Sequence, residues 1–161
     1  MKNKFFPPIA AIVLALFMFA GIMPAFAQDK IELKFWHAMG SHRGKVLDEL
    51  IKKFNDTHPG IHVTGVKIES RDRTMGNDYH ALYKEILENI AKKTPPDIAQ
   101  VYENWASQWI EIGAIAPIQD YIGKPGGIPQ AEIDDIVPVF RTANTYEGKI
   151  WTLPFNKSIY V

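Results

Sequence analysis

Asp97–Ser107 reads DIAQVYENWAS. It opens like a buried strand, with Ile98, Ala99 and Val101 in close succession. Where a core strand should simply stop, it supplies Tyr102, Glu103, Asn104 and Trp105. An acid between two aromatics builds a core poorly, since carboxylates are almost never fully buried without a partner. Glu103 is therefore the first candidate for a side chain that touches something other than the core.

The flanks of this stretch set the fold. Upstream, Tyr79, Leu82, Tyr83, Ile86, Leu87 and Ile90 recur at offsets of three and four, the strongest helical period in the chain. Asn77-Asp78 reads as its cap, Lys92-Lys93 suits the negative end of the helix dipole, and Thr94-Pro95-Pro96 closes it. Further back, Ile31–Trp36 alternates apolar and polar as a first strand. Gly40-Ser41 breaks it, and Ser41 is placed to cap a helix carrying Val46, Leu47, Leu50, Ile51 and Phe54 on one face. His58-Pro59-Gly60 stops that helix. Ile61, Val63, Val66 and Ile68 then suggest a second strand, interrupted at Gly65, and a polar segment, Glu69–Gly76, follows.

Downstream, a short helix over Trp105–Ile112 ends at Gly113. Ala114–Ile122 leads to a small helix, Gly123–Gly127 is a loop, and Ile133–Phe140 is weakly helical around Pro138. Gly148 opens a last strand, Lys149–Phe155. Strands alternating with helices of at least ten residues predict an α/β fold, a mostly parallel sheet flanked by helices. In such sheets ligands bind beyond the carboxyl ends of the strands.

Composition narrows the function. The chain has 161 residues, no cysteine and a formal charge of zero. No stripe of Lys or Arg marks a nucleic-acid surface. Lys2 and Lys4, the apolar run Ile9–Met23 and the small residues of Pro24-Ala25-Phe26-Ala27 form a signal-peptide pattern cleaved after Ala27. An N-terminal membrane anchor is the alternative, but a span wants roughly 20 apolar residues. Removing residues 1–27 takes away two lysines and no acids and leaves a charge of −2. A lipoprotein needs a cysteine at the cleavage site, where Gln28 stands, so the product is expected free in a periplasm. Without cysteine the exported fold relies on its core. The apolar, β-prone Ile159-Tyr160-Val161 carries no turn signal, and residues 28–161 are expected to be part of a longer protein.

Three tips then line up at strand ends: Trp36-His37, Tyr102-Glu103 and Asn156–Ser158. FWHAM at Phe35–Met39, QVYE at Gln100–Glu103 and LPFNKS at Leu153–Ser158 resemble the start of the extracellular solute-binding proteins (family 1) of ABC importers. The resemblance covers nearly everything after Ile31. It implies a bilobed periplasmic-binding-protein-like (class II) architecture that closes on a ligand and docks on membrane permease subunits. This chain would supply most of the first lobe, with the second lobe absent. The missing lobe would bring more of the phosphate contacts. By the family's pattern Tyr79, Glu103 and Ser158 are pocket residues, while Lys157 and the length of Glu69–Gly76 depart from it. The implied ligand is small and polar: glycerol-3-phosphate or a glycerophosphodiester, with an oligosaccharide or other polyol next.

The residues carry chemistry of their own. A carboxylate only accepts hydrogen bonds, so Glu103 suits hydroxyls and repels a phosphate. Tyr79 offers a hydroxyl and a flat face or, by its helical period, simply core packing. Ser158 can bond a hydroxyl or phosphate oxygen or merely end a strand. Trp36 and Trp105 can floor a sugar pocket or fill the core. His37 completes the candidate set. None of the five histidines forms a zinc motif, so no metal or other cofactor is expected. There is no P-loop, no G-x-G-x-x-G and no G-x-S-x-G elbow. The expected product is a monomer that binds reversibly and catalyses nothing. A hydrolase built on Glu103 with Asp97 or another carboxylate is the rival, though no motif places the second acid it needs.

Overall fold

In a computed structural model the described residues are 30–70 and 78–156. The signal-peptide pattern, residues 71–77, Lys157, Ser158 and Ile159–Val161 lie outside them. Strand β1 (Ile31–His37) is central and runs parallel to both neighbours, in the order β2-β1-β3. It pairs with β2 (Ile61–Lys67) along its whole length, from Ile31 opposite Ile61 to His37 opposite Lys67. Gly65 does not interrupt β2; it pairs with Phe35. Strand β3 is short, Ile98–Ala99, and meets β1 only at Phe35 and Trp36.

Helix α1 (Ser41–Thr57) links β1 to β2, and α2 (Asp78–Lys92) lies between β2 and β3. The chain thus leaves β1 in one direction and returns past it in the other. Right-handed crossovers then require the two helices on opposite faces. The packing agrees. Trp36 points into the cluster of Ala38, Leu82, Ile86 and Trp109, which α2 dominates. On the other face, a Cβ at Gly65 would meet Ile51 Cδ1 of α1 at 2.8 Å and His37 Nε2 at 3.5 Å. A side chain there would push the tip of Ile51 aside, because the helix sits down on the strand.

The outer edge of β2 is closed by one side chain. Asn55 Nδ2 donates to the Val63 carbonyl at 2.9 Å, and the Val63 N–H donates to Asn55 Oδ1 at 2.8 Å. Both groups would otherwise face an open edge. Helix α1 is less deeply seated than its period suggests. Only Leu47 is fully buried, and Val46, Leu50 and Phe54 stay exposed on one stripe. Nor does Ser41 cap it: the N-cap is Gly40 without a side-chain bond, and Ser41 takes a left-handed φ of 53°.

Helix α3 spans Glu103–Glu111, starting two residues before its expected limit. A 3-10 turn (Ile118–Tyr121), α4 (Gln130–Asp135) and α5 (Pro138–Ala143) follow. Pro138 starts α5, where its missing N–H costs nothing. The last expected strand is shorter than predicted and sits elsewhere. Only Lys149–Ile150 (β5) pairs, antiparallel with Thr145–Tyr146 (β4), in a separate sheet. The Glu147-Gly148 turn explains this. Both residues have positive φ, 48° and 76°, the pattern of a two-residue type I′ hairpin that binds β5 to its own neighbour. Among the described residues no helix is long and apolar enough to cross a membrane.

Candidate ligand-binding site

In the order β2-β1-β3 the chain's direction of travel reverses between β1 and β3, and open α/β sheets bind ligands beyond that switch point. Here the Gln100 N–H donates to the Trp36 carbonyl at 2.8 Å, extending the ladder by one bond. The Gln100 side chain, only 8 % exposed, then turns across the switch point. Its Oε1 accepts the Ala38 N–H at 3.0 Å. Its Nε2 lies 3.3 Å from the Met39 sulfur and 3.3 Å from the Tyr79 hydroxyl. One amide thus ties together the ends of β1 and β3 and the first turn of α2.

Met39 is the common neighbour. The Tyr79 hydroxyl reaches its sulfur at 3.8 Å and Asn156 Nδ2 at 3.9 Å. Asn156 comes from the far end of the described chain and is held near by Phe155, whose ring meets Phe35 edge-on at 5.9 Å. A thioether accepts hydrogen bonds only weakly. Three polar groups therefore converge on one weak acceptor, although Gln100 Nε2 also reaches the Tyr79 hydroxyl.

An aromatic series borders this cluster. The Tyr79 and Tyr102 rings are 5.2 Å apart, Tyr102 meets Trp105 edge-on at 4.8 Å, and Trp105 meets Tyr83 at 5.0 Å. Tyr102 is 46 % exposed at the outer end, while Trp109 at the inner end is buried. Glu103 follows Tyr102 directly, half-buried in the first turn of α3, where a negative charge favours the helix dipole. The acid is thus held by a helix start and not by a strand tip.

The other candidates are spread around this centre. Trp36 and His37 lie within β1, not beyond it, so the tip after β1 is Ala38-Met39. Trp36 packs against the core cluster. Trp105 joins both the core and the aromatic series. His37 is 3 % exposed, and its Nδ1 accepts the Met39 N–H at 3.2 Å. Burial pushes its pKa below the usual 6.5; Asp48 opposes that shift and Lys67 adds to it. Ser158 lies outside the described residues. Among the described residues no group of three His, Asp or Glu side chains is placed to hold a metal ion.

Sequence reasoning placed Tyr102 at a strand end without giving it a role, and passed over Gln100 and Met39 as site residues. Gln100 did leave a signal: a lone amide inside DIAQV, at the end of an apolar run, must find buried partners.

The model of the family described as bacterial extracellular solute-binding protein matches residues 40–161. The chain is 27% identical over 159 residues to the sn-glycerol-3-phosphate-binding periplasmic protein UgpB of Agrobacterium fabrum, covering 98% of this chain and 33% of that protein. The UgpB of Escherichia coli K12 is 27% identical over 134 residues, 82% of this chain and 28% of that one. The chain thus spans about a third of the length of these relatives. Among solved structures it is similar to the GacH receptor of Streptomyces glaucescens, crystallised unliganded and with acarbose (TM-score 0.62, 19% identity, 78% of this chain and 28% of that one). It is also similar to a family 1 extracellular solute-binding protein of Alicyclobacillus acidocaldarius (TM-score 0.63, 18% identity, 80% and 28%). A third similar structure, CpMnBP1, holds mannotriose (TM-score 0.58, 22% identity, 78% and 28%).

Proposed function

Because the chain belongs to the bacterial extracellular solute-binding proteins, we propose that the whole protein captures a small polyol-bearing solute in the periplasm and hands it to the permease of an ABC importer. The preferred ligand is glycerol-3-phosphate or a glycerophosphodiester. The observation that carries this reading is the convergence of Tyr79, Gln100 and Asn156 on the Met39 sulfur, a weak acceptor, at the switch point. A ligand hydroxyl would be a better partner for each.

In this reading Glu103 accepts bonds from vicinal hydroxyls, Tyr79 supplies a hydroxyl and a ring face, and the Ser158 hydroxyl bonds a ligand hydroxyl or phosphate oxygen. His37, Trp36 and Trp105 support that site from beneath. A second lobe closes over the ligand and strengthens these bonds by excluding water. The protein works as a monomer, exported by cleavage after Ala27, and turns nothing over. Binding a polar solute needs one acceptor set and no second carboxylate at a fixed distance, unlike hydrolysis.

An oligosaccharide is the second reading, favoured by the exposed Tyr102 ring beside Tyr79, a surface on which a sugar ring can stack. Calorimetric titration of the full-length protein with glycerol-3-phosphate, glycerophosphocholine and maltotriose separates the two. Heat with either phosphate ester and none with maltotriose supports the first. The reverse selects the second, and turnover of any of the three overturns both.

A further inference from the structure

The orientation of the Gln100 amide is fixed by a group that has no choice. A backbone N–H only donates, so the Gln100 atom 3.0 Å from the Ala38 N–H is the amide oxygen. The amide NH₂ then turns the other way, toward the first turn of α2. Its two hydrogens have two partners, the Tyr79 oxygen at 3.3 Å and the Met39 sulfur at 3.3 Å. Rotating the amide would set donor against donor at Ala38, which is costly at a side chain as buried as this one.

This settles what Tyr79 can offer. A phenol has one proton to give and lone pairs with which to accept. Gln100 occupies the accepting side. The proton is left with the Met39 sulfur at 3.8 Å, a weak and distant acceptor. Among the described residues the hydroxyl makes these two polar contacts. We propose that Gln100 is a positioning residue of the binding site: it holds the Tyr79 hydroxyl so that its proton goes to the solute, and the solute atom seated there is an accepting oxygen.

The site is polarised as a result. Around Met39 the groups donate: Tyr79 through its proton and Asn156 through Nδ2, 3.9 Å from the sulfur. Beyond the Tyr102 ring, 5.2 Å from that of Tyr79, stands Glu103, which only accepts. An oxygen therefore suits the Tyr79 corner, while an ammonium or amide N–H there would meet proton with proton. The thioether gives way easily, since the solute displaces only a weak contact. This assignment rests on the proposed function for the solute and adds the direction of one hydrogen bond.

Tyrosine Cζ NMR on the full-length protein tests it, with Tyr79 assigned by the loss of its signal in Tyr79→Phe. A phenol that donates more strongly moves its Cζ signal toward the phenolate position. Glycerol-3-phosphate should move Tyr79 that way, saturably. Gln100→Glu keeps an acceptor for the Ala38 N–H and replaces the donor by a carboxylate oxygen. At about pH 8, well above the ordinary carboxylate range, Tyr79 should then donate inward, and its signal should be shifted before any solute is added. Calorimetry completes a double-mutant cycle. Gln100→Glu should weaken glycerol-3-phosphate about tenfold more in the unsubstituted protein than in Tyr79→Phe, because the added charge acts in both and cancels. A merely structural glutamine would weaken both alike, and that result overturns the proposal. So does a Tyr79 signal that moves away from the phenolate position on binding, a readout that stands even where Gln100→Glu does not fold. If glycerol-3-phosphate binds but the Tyr79 signal stays fixed, the proposal falls and the function stands. If no phosphate ester or sugar binds, yet Gln100→Glu shifts the Tyr79 signal, the positioning stands and the function falls.

Discussion

A glutamine at position 103 keeps the shape of the side chain and removes its charge. If Glu103 grips ligand hydroxyls, Glu103→Gln weakens binding by ~1–3 kcal/mol, the usual scale for a hydrogen bond to a charged group. Calorimetry on the full-length protein reads this directly, and unchanged affinity removes Glu103 from the site. His37 gives a second prediction at this scale. Its folded pKa lies below 6.5, mainly through burial, so the unfolded chain takes the proton first as the pH falls. The stability held by the neutral ring is complete above pH 6.5 and declines below it. Urea denaturation at about pH 7.5 and about pH 5.5 should show that loss, and His37→Gln should show less of it. The facing charges, Asp48 and Lys67, act in opposite directions and do not change the sign. Of these residues, Glu103 stood out as an acid after an apolar run, and Tyr79 was singled out by the family's pattern. Gln100 was not, because its importance lies in what it reaches across three segments, and spacing along the chain does not encode that.

At the scale of elements, legibility followed the number of turns. Helix α2 makes four turns, and its offsets of three and four place Leu82 and Ile86 in the core. Strand β3 was read as Asp97–Val101 but holds only Ile98–Ala99, because among the described residues it pairs with β1 alone, at Phe35 and Trp36. A short apolar run states that a segment is buried, not how many ladder bonds it makes. The β4-β5 hairpin was missed for a related reason: Glu147 does not announce a left-handed residue. That residue is the natural place to improve the fold. Glu147→Asn keeps the two-residue turn and replaces a side chain disfavoured at φ 48° with one that tolerates it. We expect a gain of about 0.4–1 kcal/mol, read as a higher denaturant midpoint with an unchanged slope.

At the scale of the whole molecule, the alternation of strands and helices foretold a parallel sheet, and the order β2-β1-β3 located the switch point. What alternation could not foretell was where the last described segment runs. It leaves the hairpin and returns to set Phe155 against Phe35 and Asn156 beside Met39. If, as proposed, a second lobe closes over the ligand, residues 28–161 alone should bind the solute at least about tenfold more weakly than the full-length protein, a difference calorimetry resolves. Equal affinity would show that this lobe carries the whole site. The thioether at the centre of the site has a consequence of its own. Peroxide converts methionine to a polar, chiral sulfoxide. At Met39 the new oxygen would be a strong acceptor set among Tyr79, Gln100 and Asn156, and it would occupy the place of the solute. Under the proposed function, oxidation of this single sulfur would compete with the solute for the same donors, reversibly wherever a sulfoxide reductase reaches it.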